Sequence, residues 1–202
     1  IMDPMSPATT ADWPSRLRAF KALAALMGAM IAVHGVNALI LGHSWDGLGI
    51  RPGGVDGLWP GIAAAPFLHV SNLHLVNNLI GLAVLGGMAA LVAGNARFLA
   101  ATVFIALAGG AFTWLIARSG SHIGASGLVF GYFGFLVGQG LFRQSILSLV
   151  VAGAVTFFYG ANIFFGIVFP KGCTSWEAHL AGALAGLAYA RLEVWSRRGL
   201  RR

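Results

Sequence analysis

Residues 119–140 read SGSHIGASGLVFGYFGFLVGQG, a polar, glycine-rich segment that turns into an apolar helix at Ser126. The 15 residues from Ser126 to Gly140 reach only about 22 Å as an α-helix, against a hydrocarbon core of about 30 Å. The helix is too short to cross a bilayer alone, so the polar segment before it must supply the missing depth. Irregular backbone is tolerated there only where protein buries it or water reaches it. The expectation is a wet cavity, open to one side, with Ser126 near its floor. Gly127, Gly131, Gly134 and Gly138 are spaced four, three and four apart and form one stripe along the helix. Such a stripe lets a second helix backbone come close, a main source of packing energy in a bilayer. This span should therefore be central, ringed by the others.

Composition supports a membrane setting. The chain has 202 residues, 57% of them hydrophobic and 9% charged, with a mean hydropathy of +0.79. Soluble domains carry about 25% charged residues, so the chain reads as an integral membrane protein. The net charge of +7 would suggest nucleic acid only if the charges were not confined to short loops beside spans. They are so confined, and no nucleic-acid partner is expected. One cysteine, Cys173, excludes an internal disulfide and a multi-cysteine metal site and reads as an unpaired loop thiol. Ile1 to Pro4 read as foreign to the natural chain, with Met5 as its start, and no cleavable signal peptide is visible.

Six spans follow in order. A polar tail over residues 1–16, expected to be disordered, leads to a first span at 17–41. A long connection at 42–66, rich in glycine and proline but carrying Trp45 and Trp59, should lie partly in the interface. The second span (72–92) and third (96–117) are joined by the tight turn AGNAR. After the fourth come a fifth at 145–168, stopped by Pro170, and a sixth at 176–195. A basic tail over 196–202 closes the chain, and 17–195 is read as a single domain. With both termini inside, ten of the 13 Lys and Arg lie on the cytoplasmic side. Only Arg51, Arg118 and Lys171 remain outside, which sets the orientation. The fold class is thus an all-α polytopic membrane protein, six transmembrane helices around a short central fourth.

Polar side chains inside spans are costly and need a reason. His74 and Asn78, four apart at the start of the second span, share a helix face and can donate in one direction. Asn77 is turned away, and His69 is expected at the interface. His179 lies in the first turn of the sixth span, with Gly182 and Gly186 on its face, so it looks toward the glycine stripe of the fourth. Ser126 and His179 then sit at matched depth. A serine and a histidine within hydrogen-bond reach make a nucleophile and its general base. Glu177 points about 200° away from His179 at about 100° per residue and is expected to be an interfacial carboxylate rather than a third member.

GASG at 124–127, the histidine–asparagine pair at His74 and Asn78, and His179 followed by Gly182 and Gly186 together resemble the rhomboid intramembrane serine proteases of bacterial type. The resemblance covers roughly residues 17–195. It implies a Ser126–His179 dyad that hydrolyses peptide bonds in or beside transmembrane segments of single-span or polytopic membrane proteins in the bacterial inner membrane. It assigns the oxyanion to the Ser126 backbone N–H and the His74 and Asn78 side chains. It also implies a mobile fifth span, 145–168, and an outer loop at 169–175 that gate substrate entry. Phe130 stands where the family often has a tyrosine stacked on the histidine, and it keeps the ring face. Trp59 is followed by Pro60, so the tryptophan–arginine pair often seen in the first loop is missing. No cofactor and no metal are implied. The alternatives from other classes are a small transporter or channel with a polar intramembrane path, and a metal protein built on some of the six histidines. The first lacks paired acidic residues within spans and an inverted repeat; the second lacks ligand spacing.

Overall fold

A serine or aspartate caps most of the helices that matter here, accepting a hydrogen bond from the backbone N–H three residues on. In the computed structural model, which describes residues 12–143, 145–170 and 174–199, six long helices follow in chain order. They are α1 (Trp13–Leu39), α2 (Asn72–Ala93), α3 (Asn95–Ile116), α4 (Ser126–Arg143), α5 (Ile146–Val168) and α6 (Trp176–Gly199). Of these, α1, α2, α3 and α5 are long and apolar enough to cross a membrane. The chain is an all-α polytopic membrane protein.

Asp12 caps α1 through Ser15 N–H at 2.9 Å, with Pro14 in the first turn. That cap starts the helix at Trp13, so residues 13–16 are helical rather than part of a disordered tail. The rest of that tail, 1–11, lies outside the described residues, as do 200–202 of the basic tail and Cys173. At the other end, α6 continues to Gly199, past the expected limit at 195. α4 also runs three residues beyond Gly140, to Arg143, and at 18 residues spans about 27 Å.

α4 is the centre of the molecule. Ten of its side chains or glycines are buried, among them Phe130, Tyr132, Phe135 and Gln139. Phe98 of α3 stacks on Tyr132. The Thr102 hydroxyl donates to the Phe98 carbonyl at 2.7 Å, so Tyr132 donates to Thr102 at 2.7 Å. α2 and α3 each contain one wider π turn, Leu82–Gly86 and Ile105–Gly109, ending in a glycine pair. These glycines lie where neighbours press closest: a Cβ on Gly86 would meet Tyr132 at 3.2 Å, and one on Gly109 would meet Gly182 Cα at 3.4 Å.

α4 packs most extensively on α6, along a seam of small residues. A Cβ on Gly182 would overlap the Gly127 carbonyl, one on Gly186 the Gly131 carbonyl, and one on Gly134 the Ala183 carbonyl. The two backbones therefore touch with no side chain between them.

The long first loop folds into short helical turns at Ser44–Leu48, Val55–Leu58, Gly61–Ala64 and Ala65–Phe67. Trp59 does not anchor it, being 61% exposed. Backbone bonds do. Ile50 and His122 exchange N–H···O bonds of 3.1 and 2.9 Å, and Gly124 N–H donates to the Ala65 carbonyl at 2.8 Å. Trp114 Nε1 also donates to the Gly54 carbonyl at 3.0 Å, and Ser121 to that of Asp46 at 2.6 Å. The loop is thus fastened directly to the segment that leads into Ser126.

Candidate active site

Ser126 opens α4 after a turn that only glycine makes easily. Gly124 has φ +120°, a region L side chains rarely adopt, and a Cβ there would fall 2.6 Å from the His74 ring. His74 Nε2 and Asn78 Nδ2 both face this glycine, at 2.7 and 3.5 Å from the position of that absent Cβ. Ser71 caps α2 through His74 N–H at 3.2 Å, which fixes the turn from which the two side chains project. Asn78 is buried, and its Nδ2 has no hydrogen-bond partner. A buried amide donor without a partner costs about 1–3 kcal/mol, so this is a place where the fold forgoes stability. Asn77, by contrast, is exposed.

Across the glycine seam, the ring of His179 stacks on Phe130, with centroids 3.9 Å apart and planes at 16°. Phe130 lies one turn beyond Ser126 on α4, so the imidazole sits over the first turn of the helix that Ser126 begins. Nδ1 of His179 lies 2.9 Å from the Gly166 carbonyl on α5. A carbonyl only accepts, so Nδ1 carries the proton and Nε2 keeps its lone pair, the tautomer a general base needs. Gly166 also makes room for the stack, since a Cβ there would meet Phe130 at 2.8 Å. No hydrogen bond joins Ser126 to the imidazole among the described residues; such bonds are often long before substrate binds.

Ser126, Gly127, Ala178 and Gly182 line one cavity of about 40 Å³, together with Ile50, Thr113 and His122. One water needs about 10–15 Å³ of such space, so the cavity has room for water.

Two expectations are corrected here. His69 is not at the interface but fully buried, its ring edge-on to His74 at 5.1 Å and to His34 at 6.1 Å. Its Nε2 accepts from Ala125 N–H at 3.4 Å, beside Ser126. Burial, with His74 next to it, pushes this imidazole down to about 4. Glu177 is not an interfacial carboxylate either. It is 1% exposed, accepts from Arg118 N–H at 3.3 Å and pairs with the Arg118 guanidinium, with Ser175 Oγ 3.3 Å from its Oε2. It makes no hydrogen bond to His179.

Sequence reasoning missed His34, whose Nε2 meets Asn72 Oδ1 at 2.9 Å, and His122, whose Nδ1 partner, Ser175, lies 53 residues on. A histidine inside α1 was a visible signal; for His122 there was none, because its partners are set by tertiary contact. Despite the gathering of histidines, no group of three or more His, Cys, Asp or Glu is placed to hold a metal among the described residues.

The chain is similar to known proteins over most of its length. The family profile described as the rhomboid domain matches residues 56–196. An uncharacterised protein of Mycobacterium tuberculosis and one of Mycobacterium bovis are each 44% identical to the chain over 160 residues, covering 75% of this chain and 65% of the relative. An uncharacterised protein of Mycobacterium leprae is 42% identical over 159 residues, covering 74% and 62%. The chain thus spans somewhat less than two thirds of the length of these relatives. With the family profile covering most of its residues, α2 to α5 and nearly all of α6 among them, the chain belongs to the rhomboid family.

Proposed function

We propose that the chain is an intramembrane serine protease working through Ser126 and His179. The observation that carries this reading is the placement of His179: stacked on Phe130 one turn from Ser126, with Nδ1–H tied to the Gly166 carbonyl. Nε2 is then free to take the Ser126 proton as Oγ bonds to the scissile carbonyl carbon. The carbonyl π electrons move to oxygen, and the oxyanion is received by Ser126 N–H, His74 and Asn78. Collapse of the tetrahedral species breaks the C–N bond, and the amine leaves with the proton from His179. Water then attacks the acyl-serine with His179 as base, releasing the new carboxylate and restoring Ser126. A fixed oxyanion donor contributes about 2.7–4 kcal/mol to such a barrier, enough to offset burying Asn78 without a partner.

The substrates are peptide bonds in or beside transmembrane segments of other membrane proteins. We place six spans in the membrane, with the short α4 at their centre and 17–195 as the catalytic domain. Both termini then lie on the cytoplasmic side of a bacterial inner membrane, following the ten-to-three excess of Lys and Arg. α5 and the loop after it form the gate; residues 171–173 of that loop lie outside the described residues.

The test uses the full chain in liposomes with a single-span substrate and a fluorophosphonate probe. Ser126→Ala and His179→Ala should each lower cleavage by at least about a thousandfold while the variants remain folded. The probe should label the wild type and spare Ser126→Ala. Cleavage retained in either variant refutes the assignment, and solute flux that persists in Ser126→Ala would favour a transporter.

A further inference from the structure

At the Ser126 end the α4–α6 seam is glycine against glycine, and side chains cross it further along, at Phe135 with Tyr189 and Gln139 with Glu193. Close to the dyad, a polar cluster outside it ties together the two segments that carry Ser126 and His179. Resting on the Ser126–His179 reading, we propose that Arg118, His122, Ser175 and Glu177 form a strut that sets the position of His179 relative to Ser126, with Ser175 and Glu177 as its positioning residues.

The strut joins the two segments that carry the reacting groups. Arg118 and His122 lie in the loop that ends at Ser126; Thr174, Ser175 and Glu177 lead into His179. Arg118 Nη2 donates to the Thr174 carbonyl at 2.7 Å, and Arg118 N–H to Glu177 at 3.3 Å. His122 Nε2–H donates to the Arg118 carbonyl at 2.8 Å, which turns Nδ1 onto the Ser175 hydroxyl at 2.7 Å. Ser175 in turn caps α6. Its Oγ accepts from Ala178 N–H at 3.2 Å, and its carbonyl accepts from His179 N–H at 3.3 Å. The backbone of the base is thus held through the residue that His122 grips. His122 is itself bonded to Ile50 of the first loop through its backbone, so the strut has a fixed footing.

Its chemistry suits a rigid part. A buried carboxylate is tolerated only when paired and hydrogen-bonded, and Glu177 has the Arg118 N–H and guanidinium and the first turn of α6, whose N–H groups favour negative charge. None of the four side chains hydrogen-bonds Ser126 or the His179 ring. Their effect on the reaction would be entirely one of placement, where an error of about 1 Å can cost about a hundredfold.

The experiment uses the full chain in liposomes and measures cleavage of a single-span substrate, the fluorophosphonate labelling rate of Ser126, and thermal unfolding, with rates expressed per folded molecule. Ser175→Ala and Glu177→Gln should each lower kcat and the labelling rate about tenfold and leave KM within about twofold. The double variant should be little worse than either single one, because both break one strut. Ser175→Thr, which keeps the hydroxyl, should stay within about threefold of wild type. If Ser175→Ala does not fold, Glu177→Gln, which retains an acceptor for Arg118 N–H, carries the test. Undiminished kcat per folded molecule, with only a lower unfolding temperature, overturns the strut and leaves a merely structural cap. Inactive Ser126→Ala and His179→Ala beside a fully active Glu177→Gln would sink this inference alone; active Ser126→Ala would sink the dyad beneath it.

Discussion

The two ends of α4 hold polar groups in opposite ways. At its start, Asn78 Nδ2 and His74 Nδ1 are buried without partners, and Ser126 opens on a cavity. Thirteen residues on, about 20 Å away, Gln139 joins a network in which the polar groups answer one another. Arg97 of α3 pairs with Glu193 of α6, Arg97 Nη2 donates to Gln139 Oε1 at 3.2 Å, and Gln139 Nε2 donates to Glu193 Oε2 at 2.9 Å. The side chains of Arg97 and Glu193 are only 15% and 9% exposed. The lesson is that partners decide the purpose of a buried polar group. A network closed by an ion pair holds α3, α4 and α6 together; under the proposed function, donors left without partners receive the charge that develops during the reaction.

If that contrast is right, mutations at the two ends separate stability from rate. Arg97→Ala should show the largest effect, a loss of about 3–5 kcal/mol, because it strands a buried carboxylate. Thermal unfolding in detergent measures it, and cleavage per folded molecule should stay within about twofold. A large fall in kcat without loss of stability would break the contrast. Asn78→Ala should do the reverse, lowering kcat about a hundred- to a thousandfold while the unfolding temperature holds or rises, since an unpartnered amide is removed.

Acid should act on the end of α4 that carries Ser126. The His69 imidazole titrates near 4 in the folded chain and near its ordinary 6.5 when unfolded. Between those values the unfolded chain binds the extra proton. The stability contributed by neutral His69 is therefore complete above about pH 6.5 and falls toward pH 4, by at most about 1.4 kcal/mol per pH unit. Protonation of the folded chain, near pH 4, also removes the acceptor for Ala125 N–H, so activity per folded molecule should fall only as the pH approaches that value. Unfolding measured from pH 7 to 4.5 checks the loss of stability, and His69→Gln should flatten the slope. The smallest effect is expected at Phe130: Phe130→Ala removes a stacked pair worth about 0.5–1.5 kcal/mol, a loss of roughly three- to tenfold in kcat, while Phe130→Tyr should leave the rate nearly unchanged.

Much of the site was legible because it obeys local periodicity. Four-residue spacing put His74 with Asn78 on a single helix face before any fold was known, and the family resemblance pointed to Phe130 one turn after Ser126. The glycines at 127, 131, 182 and 186 marked two faces on which backbones could meet. What was misread concerned burial. His69 and Glu177 look like interfacial residues when only their own helices are considered, because nothing nearby in the chain announces a partner. Their partners come from afar: Ala125 for His69, Arg118 for Glu177.

By itself, then, the sequence determined an all-helical membrane protein, the order of its long helices, and which serine and histidine begin two of them. Composition, charge in short loops and the helical period are properties of contiguous residues, and they need no packing to be read. Only the tertiary structure decided that the His179 proton rests on Gly166, that the first loop hangs from His122, and that Arg97 meets Glu193. Each joins segments distant in the chain, and hydrogen-bond geometry within about 3 Å is fixed only once helices have packed.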